Sequence, residues 1–452
     1  MEFVFIFILL IVILLSLGSV IKDRLSRLFG GLIFSYWFLA LFISQFNPLG
    51  LYEVSGMTNV LIILGTICFI LGYSAIPSAQ FKKNTQYGSD YVYGHLDVDY
   101  ILKNRYIWII FLICLYLIID TARRQWAVIL LQGGLGNLKL DVFDLVFSNN
   151  HILYLVYQVI MFPIFHICCA VLSFLILNYR GKSDIKYILI IALYILAFCF
   201  VGGKRAYFLT FFFYFIFILG LSSSYVVRVS KQKGFMKKAI LPISLFFVLT
   251  FSGMTIMTSL GGGTDIDKDR ASEVGSNLLK QFVTYSIGSF RAFDIALNKD
   301  YLNEAGGYLY GRASLGGALD YYSCSLLNRL GINAVSARAK TMSKLQDTEI
   351  IIGKDTSFNY AYTSFMYFYY DFGFIGILFF SFLYGYFVRY LILKLSKYRT
   401  VGAMAVVGFQ LFVCIQYLQF WGYIALYAQP ILLYCYIAHK NEIKQKLKSR
   451  LI

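Results

Sequence analysis

The chain has 452 residues, of which 59% are hydrophobic and only 14% charged, with a net charge of +17. A soluble domain is about a quarter charged, and here the apolar residues come in blocks of roughly twenty, the length that crosses a bilayer core. This excludes a soluble enzyme. With no basic stripe interleaved with aromatics in a soluble context, it also excludes a nucleic-acid-binding protein.

The first apolar run, Phe3–Leu17, is followed by Lys22, Arg24 and Arg27. A cleavable signal carries its cations before the run, so this reads as a retained first helix with its N-terminus outside. About eleven membrane helices are expected (range about 10–12), at 3–20, 29–46, 57–76, 105–121, 151–178, 186–202, 205–221, 239–258, 372–393, 400–419 and 422–438. The half-apolar stretch Trp126–Val146 suits the membrane interface. The cation groups around Lys22, Lys82, Lys103, Arg180, Lys186, Arg228, Lys238, Arg389 and Lys397, and the Lys440–Arg450 tail, fall on alternate loops. The positive-inside bias then places the N-terminus outside and the C-terminus in the cytoplasm.

The fold class is therefore an all-α polytopic membrane protein with a large, partly helical external loop. Three regions are expected: membrane helices over 1–258, the external segment over 259–371, and the last helices with a basic tail over 372–452. The stretch Thr258–Thr363 holds eleven acidic and eleven basic residues and is neutral, unlike the rest. A connector of that length is usually functional or folded. Helical patterns run through Leu278–Leu297 and Leu315–Leu330. The aromatic run Phe358–Tyr370 suits a headgroup-level belt.

Seven of the eight cysteines lie in apolar runs, and the eighth is Cys324. No cysteine or histidine spacing suggests a metal, so neither a metal nor another cofactor is expected. There is no GxSxG elbow, HExxH or P-loop. His166 reads as a core residue.

Gly202-Gly203-Lys204-Arg205-Ala206 breaks the apolar stretch Tyr187–Leu221 on the outer side. Cations are disfavoured at a helix N-terminus, so Lys204 and Arg205 suit a bound anion there; a snorkelling pair is the alternative. Arg291 and Arg312 in the external segment could clamp a diphosphate bidentately. Arg291 could equally pair with Asp294 one turn on. Asp371, at the expected start of a helix, is the carboxylate of most catalytic interest, although capping explains it as well.

The arrangement of many membrane helices, one large external loop before the last few, and a cationic break upstream resembles the Wzy-type O-antigen polymerases and their relatives, the O-antigen ligases. Gly203-Lys204-Arg205-Ala206 resembles the family's Ser-Arg-Gly-like motif. Phe358-Asn359-Tyr360, followed by Asp371-Phe372-Gly373-Phe374-Ile375-Gly376, resembles its His-Asn-x-aromatic motif and the Gly-Leu/Ile-x-Gly helix. Phe358 stands where the ligases carry histidine, which favours a polymerase.

The resemblance implies a metal-independent glycosyltransferase of the bacterial inner membrane. It would join undecaprenyl-diphosphate-linked oligosaccharide repeat units into O-antigen or capsular polysaccharide, among membrane lipids and with a chain-length regulator as partner. Lys204, Arg205, Arg291 and Arg312 would hold the diphosphate, Asn359 and Tyr360 the sugars, and Arg205, Arg291 and Asp371 would serve the chemistry. The alternatives are a ligase and a transporter of lipid-linked oligosaccharide. A transporter needs charges near the bilayer midplane, whereas the expected helices carry theirs at the ends.

Overall fold

The computed structural model describes residues 2–77, 102, 104–131, 153, 156–177, 182–202, 207, 210–219, 270–298, 301–304, 307–311, 313–314, 324, 327–328, 331–333, 350–354, 356–358, 363–398 and 401–416. The expected helices at 239–258 and 422–438 lie outside them.

The described chain is mostly helical. In order it forms α1 (Glu2–Leu15, continued by a π-helical turn at Ser16–Val20), α2 (Arg24–Phe46), α3 (Gly56–Ser74), α4 (Arg105–Leu131), α5 (Phe162–Leu177, after a π turn at Tyr157–Met161) and α6 (Lys182–Gly202). There follow α7 (Thr210–Leu219), α8 (Arg270–Asn298), α9 (Tyr301–Glu304), the hairpin β1 (Ile350–Gly353) and β2 (Thr356–Phe358), α10 (Ser364–Tyr398) and α11 (Val401–Gln416). Among the described residues, four helices are long and apolar enough to cross a membrane: Leu25–Phe46, Gly56–Ser74, Arg105–Ala127 and Ser364–Leu393.

Two boundaries differ from expectation. α4 does not stop at 121 but runs on to Leu131. The polar stretch there stays helical because Asp120 bonds Arg123 and Arg124 one turn on, at 2.9 and 2.7 Å. Trp126 is thus part of α4. The aromatic run is not a surface belt. Residues 364–371 form the first turns of α10, and Phe365, Met366, Tyr367 and Tyr370 are buried.

The chain divides into two compact units. The first comprises Met1–Gln86, Gly275–Lys397 and Gln410–Tyr427; the second takes the remainder. In the first unit α3 and α10 cross at close range, for a Cβ on Gly72 would collide with the Phe382 carbonyl and one on Gly385 with the Phe69 carbonyl. Small residues permit this backbone approach, as in other membrane helix pairs. One end of the pair is tied by Arg389, fully buried, which donates to Asp23 at 3.2 Å and lies over the Tyr73 ring. Asp23 also caps α2 through the Ser26 N–H at 2.8 Å. The loop from Asn47 to Ser55 lies at the other end, with the hairpin beside it: the Tyr52 N–H donates to the Ile352 carbonyl at 2.8 Å.

In the second unit the core is aromatic. Tyr157, Phe162, Phe165, Phe198 and Tyr207 pack ring on ring. His166 is buried among them. The Tyr214 hydroxyl spends its proton on the Ala405 carbonyl at 2.7 Å. His166 Nδ1, 3.1 Å from that hydroxyl, must therefore be the donor. His166 is thus a core residue.

Candidate functional site

Two charged residues of the segment 259–371, Arg291 and Asp294, sit on one turn of α8, and both are buried. Asp294 Oδ1 accepts from the Ser55 N–H at 3.2 Å, the Ser55 hydroxyl and the Thr58 hydroxyl at 2.6 Å. Its Oδ2 accepts from Asn298 at 3.1 Å. Ser55 is the N-cap of α3, so the positive end of that helix already faces the chain's own carboxylate.

The guanidinium of Arg291 donates to the Tyr52 carbonyl at 3.0 Å, the Ser44 hydroxyl at 2.8 Å, the Ile287 carbonyl at 3.0 Å, the Ser44 carbonyl at 3.1 Å and Asn47 Oδ1 at 3.4 Å. An arginine has five N–H groups, and all five are used. Burial pulls the group down to about 10, opposed by the nearby Asp294 carboxylate, and it stays charged at neutral pH. This corrects the expected diphosphate role of Arg291. The residue has no N–H left for a phosphate. It is a strut between α8 and the loop after α2, and it does not need Asp294 as a bonded partner.

The second cluster lies at a break in α10. Phe372 (φ −147°, ψ 23°) and Gly373 (φ 61°, ψ −146°) leave the helix. A break deprives the preceding carbonyls of their N–H partners one turn on. Two of these carbonyls are taken by the turn 307–314: Tyr370 O receives the Leu309 N–H at 2.9 Å and Asp371 O the Tyr310 N–H at 3.2 Å. The Asp371 carboxylate, fully buried, receives the Ala313 and Ser314 N–H groups at 2.8 Å each and the Ser314 hydroxyl. The turn itself uses left-handed backbone at Gly307, Tyr310 and Gly311.

Asp371 is therefore not the start of a helix, as expected. It is the last residue before a break, and it closes a clasp. Its carboxylate is spent on three donors of the turn, and it holds that turn in place. Arg312, which lies outside the described residues, stands in the sequence between clasped neighbours. Around the turn Tyr310 is 74% exposed, and its ring meets that of Phe372 edge-on at 5.9 Å. Such a rim offers aromatic faces to a sugar ring or a lipid.

Phe358, by contrast, is core: it ends β2 with its ring against Gly288 of α8. Asn359, Tyr360, Lys204 and Arg205 lie outside the described residues, α6 ending at Gly202. Among the described residues no group of three or more His, Cys, Asp or Glu could hold a metal ion.

Ser55, Thr58 and Ser314 escaped the sequence reading, because small hydroxyl residues in loops carry no signal of a partner far along the chain. The string Gly306-Gly307-Tyr308-Leu309-Tyr310-Gly311 did carry a turn signal. No family model, curated protein or solved structure matches the chain.

Proposed function

We propose that the protein is a membrane glycosyltransferase that polymerises undecaprenyl-diphosphate-linked oligosaccharide repeat units at the outer face of the bacterial cytoplasmic membrane. In this reading about eleven helices span the bilayer, the N-terminus is outside, the C-terminus is cytoplasmic, and 259–371 is periplasmic. The observation that carries the proposal is the clasp at Asp371. It fixes residues 307–311, 313 and 314 against the break in an apolar helix, where the diphosphate of a membrane-held lipid would lie.

The side assignment has support within the first unit. The Asn47–Ser55 loop, outer by the charge pattern, is the loop that Arg291 and Asp294 of the external segment bond. Asp23 and Arg389, both cytoplasmic by charge, bond each other at the opposite end. From Phe374, just past the break, to Arg389 the helix rises about 22 Å at 1.5 Å per residue, most of the thickness of a hydrocarbon core.

The reaction forms a glycosidic bond between an acceptor hydroxyl and the anomeric carbon of the donor glycan. The bond from that carbon to the diphosphate breaks, and the hydroxyl proton leaves to the departing diphosphate or to water. By the resemblance, the Lys204–Arg205 pair is assigned to the diphosphate, whose growing charge it stabilises. Asn359, Tyr360 and the exposed tyrosine rim are assigned to the sugars. Asp371 acts through the turn, and positioning of this kind is a large share of catalysis when the leaving group is good.

Replacing Arg205 with alanine tests the assignment. Single repeat units should remain attached to the lipid carrier or its acceptor while long chains disappear. Unchanged chain length, with the variant present at normal amounts, would refute it.

A further inference from the structure

A groove of about 170 Å³ runs along the second unit between α4 and α5, with α6 as its floor. Its lining is wholly apolar. Phe111, Cys168, Val171 and Ile191 are buried at its base, and Ile110 and Ile167 stand at the rim. From Val171 to Ile164 it extends for roughly 10 Å of helix. One end is built differently. Trp108 lines it, with its indole N–H fixed on the Leu102 carbonyl at 2.8 Å and its ring 5.3 Å from that of Tyr187.

Two exposed cations flank this pair of rings. Arg105 opens α4 one turn before Trp108, and Lys186 adjoins Tyr187. Arg105 lies 5.1 Å from the Tyr106 ring and Lys186 lies 4.8 Å from the Tyr187 ring. Neither is ion-paired among the described residues, unlike Arg123 and Arg124 farther along α4, which share Asp120. Tryptophan and tyrosine favour the headgroup level of a bilayer, and the groove enters the apolar layer from there. A slot of this kind needs an amphiphile with an anionic head and an apolar tail.

We infer that this groove is a binding site for one anionic phospholipid, its acyl chain between α4 and α5 and its phosphate between Arg105 and Lys186. The occupant follows from charge. A zwitterionic headgroup brings its own cation beside its phosphate and so gains less from two protein cations, whereas basic pockets between membrane helices take anionic headgroups of the cytoplasmic leaflet. In the sequence Lys103 precedes Arg105, and Arg180, Lys182 and Lys186 outnumber Asp184 before Tyr187, so the neighbouring chain adds net positive charge. The inference does not depend on the reaction proposed above.

The test uses the full chain in nanodiscs of equimolar phosphatidylglycerol and phosphatidylcholine, extracted in mild detergent and weighed by native mass spectrometry. Each cation at an anionic surface is worth roughly a factor of five, so the wild type should retain one phosphatidylglycerol with about thirtyfold preference. The pair Arg105→Gln and Lys186→Gln should erase the preference. Ile110→Trp, at an exposed rim position where folding is not at stake, and Ile167→Trp should each block retention of either lipid. Equal retention of the two lipids by the wild type would overturn the site. So would a preference that survives loss of both cations, or retention unchanged in both tryptophan variants. Recovery of a polyprenyl phosphate in place of phospholipid from cell membranes would overturn the occupant.

Discussion

Ser314 donates both its backbone N–H, at 2.8 Å, and its hydroxyl to one oxygen of Asp371, across 57 positions of sequence. This relationship joins the turn before Ser314 to a helix long and apolar enough to cross a membrane, at the place where that helix is broken. Asp371→Ala leaves two buried N–H groups without acceptors, at a cost of about 3 kcal/mol or more. Ser314→Ala removes one hydroxyl bond, worth about 1–2 kcal/mol. Thermal unfolding in detergent should rank the two in that order. In the folded fraction both should shorten the glycan, because the turn that Asp371 clasps loosens. Normal chain length in Asp371→Ala would separate the clasp from activity.

Arg291 behaves as structure. Arg291→Met abandons five acceptors in a buried site and should cost roughly 3 kcal/mol. Arg291→Lys, lacking the planar fork, should recover only part of this. Protein in the membrane should fall, while glycan length per folded molecule stays as in the wild type. A stable Arg291→Met variant that makes no polymer would restore Arg291 to the site.

Gly373 is required twice. Its backbone, at φ 61° and ψ −146°, is a conformation that side chains resist, and a Cβ would lie 2.7 Å from the Tyr308 hydroxyl. Gly373→Ala should destabilise by about 1–3 kcal/mol. Gly56→Ala, at the start of α3 with nothing within 4 Å, should change stability by no more than about 0.5 kcal/mol. The two melting curves, compared side by side, check this. Tyr308→Phe should relieve little, since the tyrosine ring itself stands at 3.2 Å.

Asp23 and Arg389 should be coupled. Arg389 is fully buried and Asp23 only partly, so losing either charge should cost about 1–3 kcal/mol. Arg389→Met alone should therefore cost more than the increment it causes in an Asp23→Asn background, where the carboxamide can still cap α2. A double-mutant cycle by thermal unfolding should give a coupling of about 1–3 kcal/mol. Strict additivity would show that the 3.2 Å contact contributes nothing.

The sequence made the membrane character legible because bilayer thickness sets the length of an apolar run. α2 and α3 fall within a few residues of their expected positions for that reason. The break within α10 reads as a helix start in the sequence, since Asp371-Phe372-Gly373 looks like a cap. The structure shows the aromatic run already helical before it. That error has a physical source: buried and lipid-facing aromatics read alike, and only a partner such as the Tyr308 turn distinguishes them. Arg291 and Arg312 were equally plausible ligands in the sequence. Arg291 proved to be spent on carbonyls of residues more than two hundred positions away, and periodicity cannot report such partners.

The account's central claim is polymerisation, and the surface glycan of a deletion strain tests it most directly. Complemented with the wild-type gene, the strain should display a ladder of long chains. Without the gene, or with Arg205→Ala at matched protein levels, it should display single repeat units only, with lipid-linked units accumulating on the outer face of the membrane. An unaltered ladder in the deletion strain would contradict the account, and so would accumulation of repeat units on the inner face.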